Sequence, residues 1–380
     1  MDDYARLRYL TSQMHLEAAE DVGCPPLTSR EQDSVMVSRA VLPNGGQIKL
    51  LKTLLSSVCE RNCYYCPFRS GRDYRRVSFQ PEEFAALYMS MNRAGMVEGV
   101  FLSSGLGGGG VQTQDRLLGT AEILRQKYQY RGYLHLKIMP GAERDQVEQA
   151  MLLADRVSIN LESPSQGRLL SLAPLKDFHK ELLAPLRWME EIRQEKPPHQ
   201  AWKGTWASSA TQFVVGGAGE TDLEILDLTS KLHDQVGLAR TYYSSFNPIP
   251  DTPLEKHTPC PSEREHRLYQ AFYLMRDYGF TVEELPFQGP GDLPLDQDPK
   301  LAWAKSHLTH QPPEINTAPR ETLLRVPGIG PKGVQKILLA RQHSTIHQLS
   351  QLKILGINTQ RVKPFILLNG KAPARQLTLF

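Results

Sequence analysis

From Ile48 to Tyr278, short apolar runs of strand length alternate with longer stretches whose apolar residues recur at helical spacing. Six runs read as strands: Ile48–Leu55, Gly99–Leu102, Gly132–Lys137, Val157–Leu161, Gln212–Val215 and Thr241–Phe246. The intervening helical segments include Pro81–Met91, with proline in its first turn, and Asp222–Val236, whose acidic start suits the positive end of a helix dipole. Repeated strand–helix units predict a parallel sheet of the α/β class. Six units predict an open, partial (β/α)6 TIM-like barrel, with chemistry expected at the carboxyl ends of its strands.

The pattern changes after the sixth unit. Residues 286–313 are rich in Pro, Gly and Asp and read as a connector, with a short helix at Pro299–Ala304. A small all-α domain follows at 314–370, where Ala318–Val326 and Gly333–Arg341 flank the turn Pro327-Gly328-Ile329-Gly330 and a second helical pair surrounds Leu355-Gly356-Ile357. The expected organisation is therefore an N-terminal extension (1–47), the barrel (48–285), the connector, the helical domain and a short tail (371–380). A length of 380 residues suits two or three domains. No apolar run reaches eighteen residues, and the start MDDYARLRYL lacks a basic region followed by an apolar stretch, so a cytoplasmic protein without a membrane partner is expected.

Charge sharpens this division. The whole chain carries only +3, but Glu314 to Phe380 holds ten basic and two acidic residues, a local +8 that leaves −5 for the remainder. A basic module on an acidic body predicts a polyanionic partner for the module.

Five cysteines are too few for a disulfide scaffold, and three of them fall within eight residues as Cys59-x3-Cys63-x2-Cys66, directly after the first predicted strand. Three thiolates are one short of a closed zinc site or a standard electron-transfer cluster. The shortfall suits a [4Fe-4S] cluster whose open iron chelates the amino and carboxylate groups of S-adenosylmethionine, for reductive cleavage to a 5′-deoxyadenosyl radical. A zinc knot completed by a histidine is the competing reading. Cys24 and Cys260 are isolated beside prolines and read as ordinary thiols. Tyr133, His135 and Lys137 alternate along one face of the third strand, and Asn160 ends the fourth; polar groups inside a barrel form either a catalytic pocket or a satisfied internal network. Lys176 and the run Arg264-Glu265-His266-Arg267 are further candidates, the latter alternatively a solvated helix face. The run Gly107–Gly110 lacks a P-loop lysine and reads as a flexible loop.

The cysteine spacing, with Tyr65 before the last cysteine, resembles the radical S-adenosylmethionine superfamily. That resemblance implies that Tyr65 lies near the adenine, that Ser103, Ser104 and Gly105 face the methionine amino group, and that Glu162 binds the ribose or that same amino group. It also implies that Gly216, Gly217 and Glu220 belong to a glycine-rich turn admitting the adenine. Phe101–Gly105, Gly132–Lys137, Leu172–Lys176, Arg264–Gln270 and Asp298–Ala304 narrow the resemblance to the DNA modification/repair radical S-adenosylmethionine proteins, over nearly the whole chain. An electron donor is then a required partner.

Val326 to Gly333 is similar to a helix-hairpin-helix, in which Gly328 and Gly330 expose backbone N–H groups to a DNA phosphate while Lys332 and Lys336 add charge. A turn used for protein docking is the alternative. The chain ends Gln376-Leu377-Thr378-Leu379-Phe380, which resembles the peptide that binds the bacterial DNA sliding clamp, with Gln376 as its polar contact and Leu377, Leu379 and Phe380 as its apolar part. A terminal strand packed on the protein's own surface is the competing reading. The combination predicts a DNA-directed radical enzyme for repair or modification; an RNA-modifying enzyme and a non-catalytic DNA-bound redox sensor are the rivals.

Overall fold

Buried apolar runs and amphipathic helices resolve into one seven-stranded sheet, in the order β1 (Val37–Val41), β2 (Gln47–Leu54), β3 (Gly99–Ser103), β4 (Tyr133–Lys137), β5 (Arg156–Ser158), β6 (Ser208–Val215) and β7 (Arg240–Ser245). The computed structural model describes residues 2–14, 37–41 and 45–373. Gln376, Leu377, Leu379 and Phe380 lie outside them, as does Cys24.

Strands β2 to β7 are parallel, with Leu50 opposite Gly99, Leu102 opposite Leu136, Lys137 opposite Ser158 and Val214 opposite Ser244. The first strand pairs antiparallel with β2 and was not anticipated; it comes from the expected N-terminal extension. All five residues of β3 and the last seven of β6 are buried, as expected of parallel strands covered on both faces. Strand order is linear, so the barrel is open. Neighbouring strands lie about 4.8 Å apart, and a flat sheet would hold β2 and β7 more than ~20 Å from each other. Instead Leu54 at the end of β2 and Ser244 and Ser245 at the end of β7 line one cavity, so the sheet curls.

Helix α1 (Asp3–Ser12) precedes the sheet, and α2 (Pro81–Arg93), α3 (Gly109–Glu122), α4 (Arg144–Leu153), α5 (Gln166–Leu170), α6 (Ala184–Glu195) and α7 (Asp222–Val236) lie between its parallel strands. A capping box between Gln80 and Glu83 starts α2 one residue before Pro81, and α2 buries Phe84, Tyr88 and Met91 at helical spacing. The glycine run is more ordered than a loose loop. Gly109 opens α3, and the N–H groups of Gly108 and Gly109 both donate to Glu60 Oε2, at 3.2 and 3.3 Å.

Two compact units divide the chain, the first comprising Met1–Glu220 and Lys231–Pro261, the second Thr221–Ser230 and Ser262–Phe380. The second unit therefore begins earlier than the connector at 286. Its helices are α8 (Ser262–Tyr278), α9 (Pro299–His307), α10 (Arg320–Arg325), α11 (Pro331–His343), α12 (Leu349–Ile354) and α13 (Thr359–Val362). They enclose a core that includes Leu323, Ile329, Val334, Ile337, Leu352 and Phe365. Two glycine turns organise it. Gly328 has φ +88° and Gly356 φ +80°, the left-handed region where a side chain is strained. Among the described residues no helix is long and apolar enough to cross a membrane.

Candidate active site

The segment after β2 carries the cysteines, and backbone hydrogen bonds fix it on three sides. Toward β3, Leu55 N–H donates to Ser103 O at 2.8 Å, Gly105 N–H to Ser56 O at 2.7 Å and Glu60 N–H to Leu106 O at 2.7 Å. Toward Leu172–Glu181, Tyr64 N–H donates to Leu172 O at 2.7 Å, while the Arg61 guanidinium reaches Leu175 O and the Glu181 carboxylate. Toward the return chain, Ser57 N–H donates to Val77 O at 2.8 Å and Arg76 donates to Ser57 O and Phe68 O. The cysteine loop is thereby held without helix or strand of its own. Gly105 is required for this fit, since a Cβ there would stand 2.5 Å from Val58 O and 3.2 Å from Cys59 Cβ.

Cys59, Cys63 and Cys66 line a single cavity at the carboxyl ends of the strands, together with Tyr65, Ser103, Ser104, Gly105, Lys137, Asn160 and Glu162. Burial, before any neighbouring charge, pushes the Cys63 and Cys66 thiols up from their ordinary range. Thiols so desolvated favour their neutral form until a metal replaces the proton.

Glu162 is the most constrained side chain here. It is 3% exposed, and its backbone sits at φ +67° while keeping two sheet bonds: its N–H donates to Gln212 O at 3.0 Å and its carbonyl accepts from Val214 N–H at 2.8 Å. A left-handed non-glycine residue costs about 1–3 kcal/mol and is held by its surroundings. One carboxylate oxygen accepts from Lys176 Nζ at 2.8 Å; the other, Oε2, is buried without a hydrogen bond of good geometry, and the Tyr65 hydroxyl lies within reach of the same carboxylate. Burial, the largest single influence, would lower the Lys176 ammonium, but the Glu162 charge and hydrogen bond together with the Cys63 and Cys66 charges outweigh it and hold the ammonium above its usual range. Burial first and the Glu162 charge second push the Tyr65 hydroxyl up. Lys137 donates to Asn160 Oδ1, with its ammonium 5.8 Å from the Phe101 ring centroid.

Some candidates lie elsewhere. His135 is fully buried, its Nε2 2.8 Å from Ser158 Oγ and its ring edge-on to Phe101 at 4.6 Å, so it belongs to an internal network below the cavity. Tyr133, at the opposite end of β4 from Lys137, is half-buried and does not line the cavity. Gly216, Gly217 and Glu220 form a turn beside it: the Glu220 carboxylate accepts from Gly216 N–H and, at 3.0 Å, from Ala218 N–H, so its charge organises that loop. In the second unit, Arg264 pairs with the fully buried Asp222 at 2.7 Å and Arg267 donates to Leu295 O, a packing role for a run considered as a site. Gln212, Ser244, Asn247, Gln13 and Met14 also line the cavity. A polar Gln212 within a buried strand was the available signal; the end of α1 carried none.

These residues fit a three-thiolate cluster. The donors are three cysteines on one loop, and among the described residues neither a histidine nor Cys260 lines the cavity. Among the described residues no three His, Cys, Asp or Glu side chains gather around one ion position. A cubane places each thiolate on a different iron, so its ligands stand farther apart than those of one ion. The second Glu162 oxygen could accept from a donor group of a cofactor bound in this cavity.

No known family's sequence model matches the chain, and no curated protein does. Solved structures with a partly similar fold include the FeFe-hydrogenase maturase HydG from Carboxydothermus hydrogenoformans, at 16% identity over 60% of this chain and 51% of that one, with a TM-score of 0.45. Methylornithine synthase PylB matches at 15% identity over 60% of this chain and 63% of that one, with a TM-score of 0.46. Coproporphyrinogen III oxidase HemN from Escherichia coli, described as a radical SAM enzyme, matches at 13% identity over 68% and 58%, with a TM-score of 0.38. This chain spans about half the length of the hydrogenase maturases.

Proposed function

We propose that the chain is a radical S-adenosylmethionine enzyme that modifies or repairs DNA. The observation carrying the reading is a single loop at the barrel mouth that brings Cys59, Cys63 and Cys66 to one cavity, which no fourth cysteine or histidine lines among the described residues, beside the buried Glu162 carboxylate. When bound, a [4Fe-4S] cluster and S-adenosylmethionine supply one-electron cleavage of a sulfur–carbon bond and hence a 5′-deoxyadenosyl radical. The protein's share is to hold and enclose. The three cysteines ligate irons, Glu162 Oε2 accepts from an amino or hydroxyl donor, and Tyr65, Ser103, Ser104 and Gly105 wall the cavity on the cysteine side. Lys137, braced by Asn160, presents an ammonium to the substrate side, and Met14, Ile138, Met139 and Phe246 exclude water.

Support for DNA comes from the second unit and from charge. Gly330 caps α11 and Lys332 is exposed in its first turn, where no acidic residue balances the helix dipole. A cation there is unfavourable unless an anion joins it, and a phosphate would satisfy both the lysine and the free N–H groups. The module is read as a paired helix-hairpin-helix gripping the backbone without reading sequence. Gln376 to Phe380 complete the reading as a tether to a DNA sliding clamp. For chemistry on a base, the nucleotide must leave the stack.

The test is anaerobic reconstitution of the full chain with iron and sulfide, followed by cofactor, reductant and either duplex DNA, damaged DNA or duplex RNA. The expected result is 5′-deoxyadenosine together with a mass change in a DNA substrate, both abolished with the cluster absorbance in Cys63→Ala. Cleavage retained in Cys63→Ala would overturn the ligand assignment, and a mass change confined to RNA would overturn the choice of DNA.

A further inference from the structure

Lys176 is a buried cation fixed against the cysteine loop and left unused by the steps above. Its side chain is 9% exposed and lines the same cavity as the three cysteines. The segment bearing it is locked to that loop through Tyr64 N–H on Leu172 O and Arg61 on Leu175 O and Glu181. A merely structural role explains this poorly. Buried ion pairs are often no more stabilising than well-packed apolar side chains of the same volume, and this pair leaves Glu162 Oε2 unsatisfied.

We infer that Lys176 sets the reduction potential of the three-cysteine cluster, with Glu162 as its counterweight. The inference rests on the cluster reading above. A cubane held by three thiolates is anionic and gains one more negative charge on reduction. In a water-poor cavity a fixed cation stabilises that added electron and a fixed anion opposes it. The ammonium and the carboxylate stand 2.8 Å apart, so the cluster feels their difference. Removing either should move the potential, in opposite directions. One electron enters from mediator dyes poised by dithionite; no bond forms or breaks.

The experiment is a potentiometric titration of the reconstituted full-length protein, followed by electron paramagnetic resonance of the reduced cluster. Relative to wild type, Lys176→Met should shift the midpoint to more negative potential, Lys176→Arg should restore it, and Glu162→Gln should shift it to more positive potential, with iron and sulfide content unchanged. A Lys176→Met midpoint at or above wild type overturns the inference. Should that variant fail to hold iron, Lys176→Gln carries the same prediction, and a Glu162→Gln midpoint that is unshifted or more negative also overturns it. A wild-type protein that takes up no iron and sulfide, or gives no reducible signal, overturns the cluster reading itself.

Discussion

One methyl group at Gly105 would meet the carbonyl oxygen of Val58 at 2.5 Å, and backbone cannot yield as a flexible side chain does. Gly105→Ala should therefore displace Val58 and Cys59 and lower iron retention several-fold. Overpacking of this kind costs about 1–3 kcal/mol, too little to unfold a barrel of this size. Iron content after reconstitution, with circular dichroism unchanged, checks it; full iron retention would mean that the loop tolerates the shift. Cysteine spacing reveals which residues could bind metal, but not that a serine–glycine turn after the next strand shapes the loop. That information sits in a contact between Gly105 and Val58, distant in sequence. The same limit applies to His135 and Lys137. They share a strand face by period two, yet one packs under Phe101 in a closed network and the other lines the cavity, because depth along the barrel is not encoded in alternation.

At the scale of elements, five of the six parallel strands are legible to within two residues at their N-termini, because each carries a short buried stretch that stands out between helical segments. The exceptions have physical causes. Strand β6 starts four residues before its predicted beginning because Ser208, Ser209 and Thr211 hide its first half; Thr211 is buried by donating its hydroxyl to Ile159 O at 2.7 Å. Regular pairing in β5 ends at Ser158, short of the expected Leu161, before the chain turns through the left-handed Glu162. Strand β1 carries little sequence signal, because Val37-Ser38-Arg39-Ala40-Val41 neither alternates cleanly nor forms an unbroken apolar run. The short helix expected at Pro299–Ala304 extends to His307, and it places Lys300 beneath the glycine turn. Lys300 is 8% exposed and donates to Ile329 O at 2.6 Å, with its ammonium 4.4 Å from the Tyr278 ring centroid. Burial lowers its ammonium to about 7; Asp298 opposes that shift, and Arg361 and Arg325 add to it. The unfolded chain thus binds the proton more strongly, so stability contributed at this site rises with pH between about 7 and the ordinary lysine value of 10.5. The melting temperature of wild type should rise relative to Lys300→Met between pH 7 and 10. A parallel pH profile for the two would show that this ammonium keeps its ordinary affinity for protons.

At the scale of the whole molecule, the composition break at 286 hinted at a second unit but missed its extent. Asp222 closes a buried pair with Arg264 and accepts from Leu293 N–H at 2.9 Å, partners 42 and 71 residues away, and such closures leave no local trace in sequence. Net charge is also a coarse guide to a surface. Of the basic residues giving the C-terminal region its excess, Arg325 is spent on Glu284, Arg341 on Ile315 O and Ala318 O, Arg361 on Asp298, and Lys336 donates to Leu355 O at 2.9 Å. Exposed Lys332, in the first turn of α11, is therefore the better probe of a phosphate contact than the total charge. Lys332→Glu replaces that cation by an anion where a phosphate would sit. Loss of one phosphate contact reduces the slope of log affinity against log salt by about 1, and binding should weaken to a similar degree on duplexes of unrelated sequence. Titrations of the full chain with two such duplexes at several salt concentrations measure both quantities. Cofactor cleavage without DNA should be unchanged, since Lys332 is remote in sequence from every cysteine and does not line their cavity. An unaltered salt slope would remove Lys332 from the interface, and weakening confined to one sequence would indicate base readout in place of a grip on the backbone.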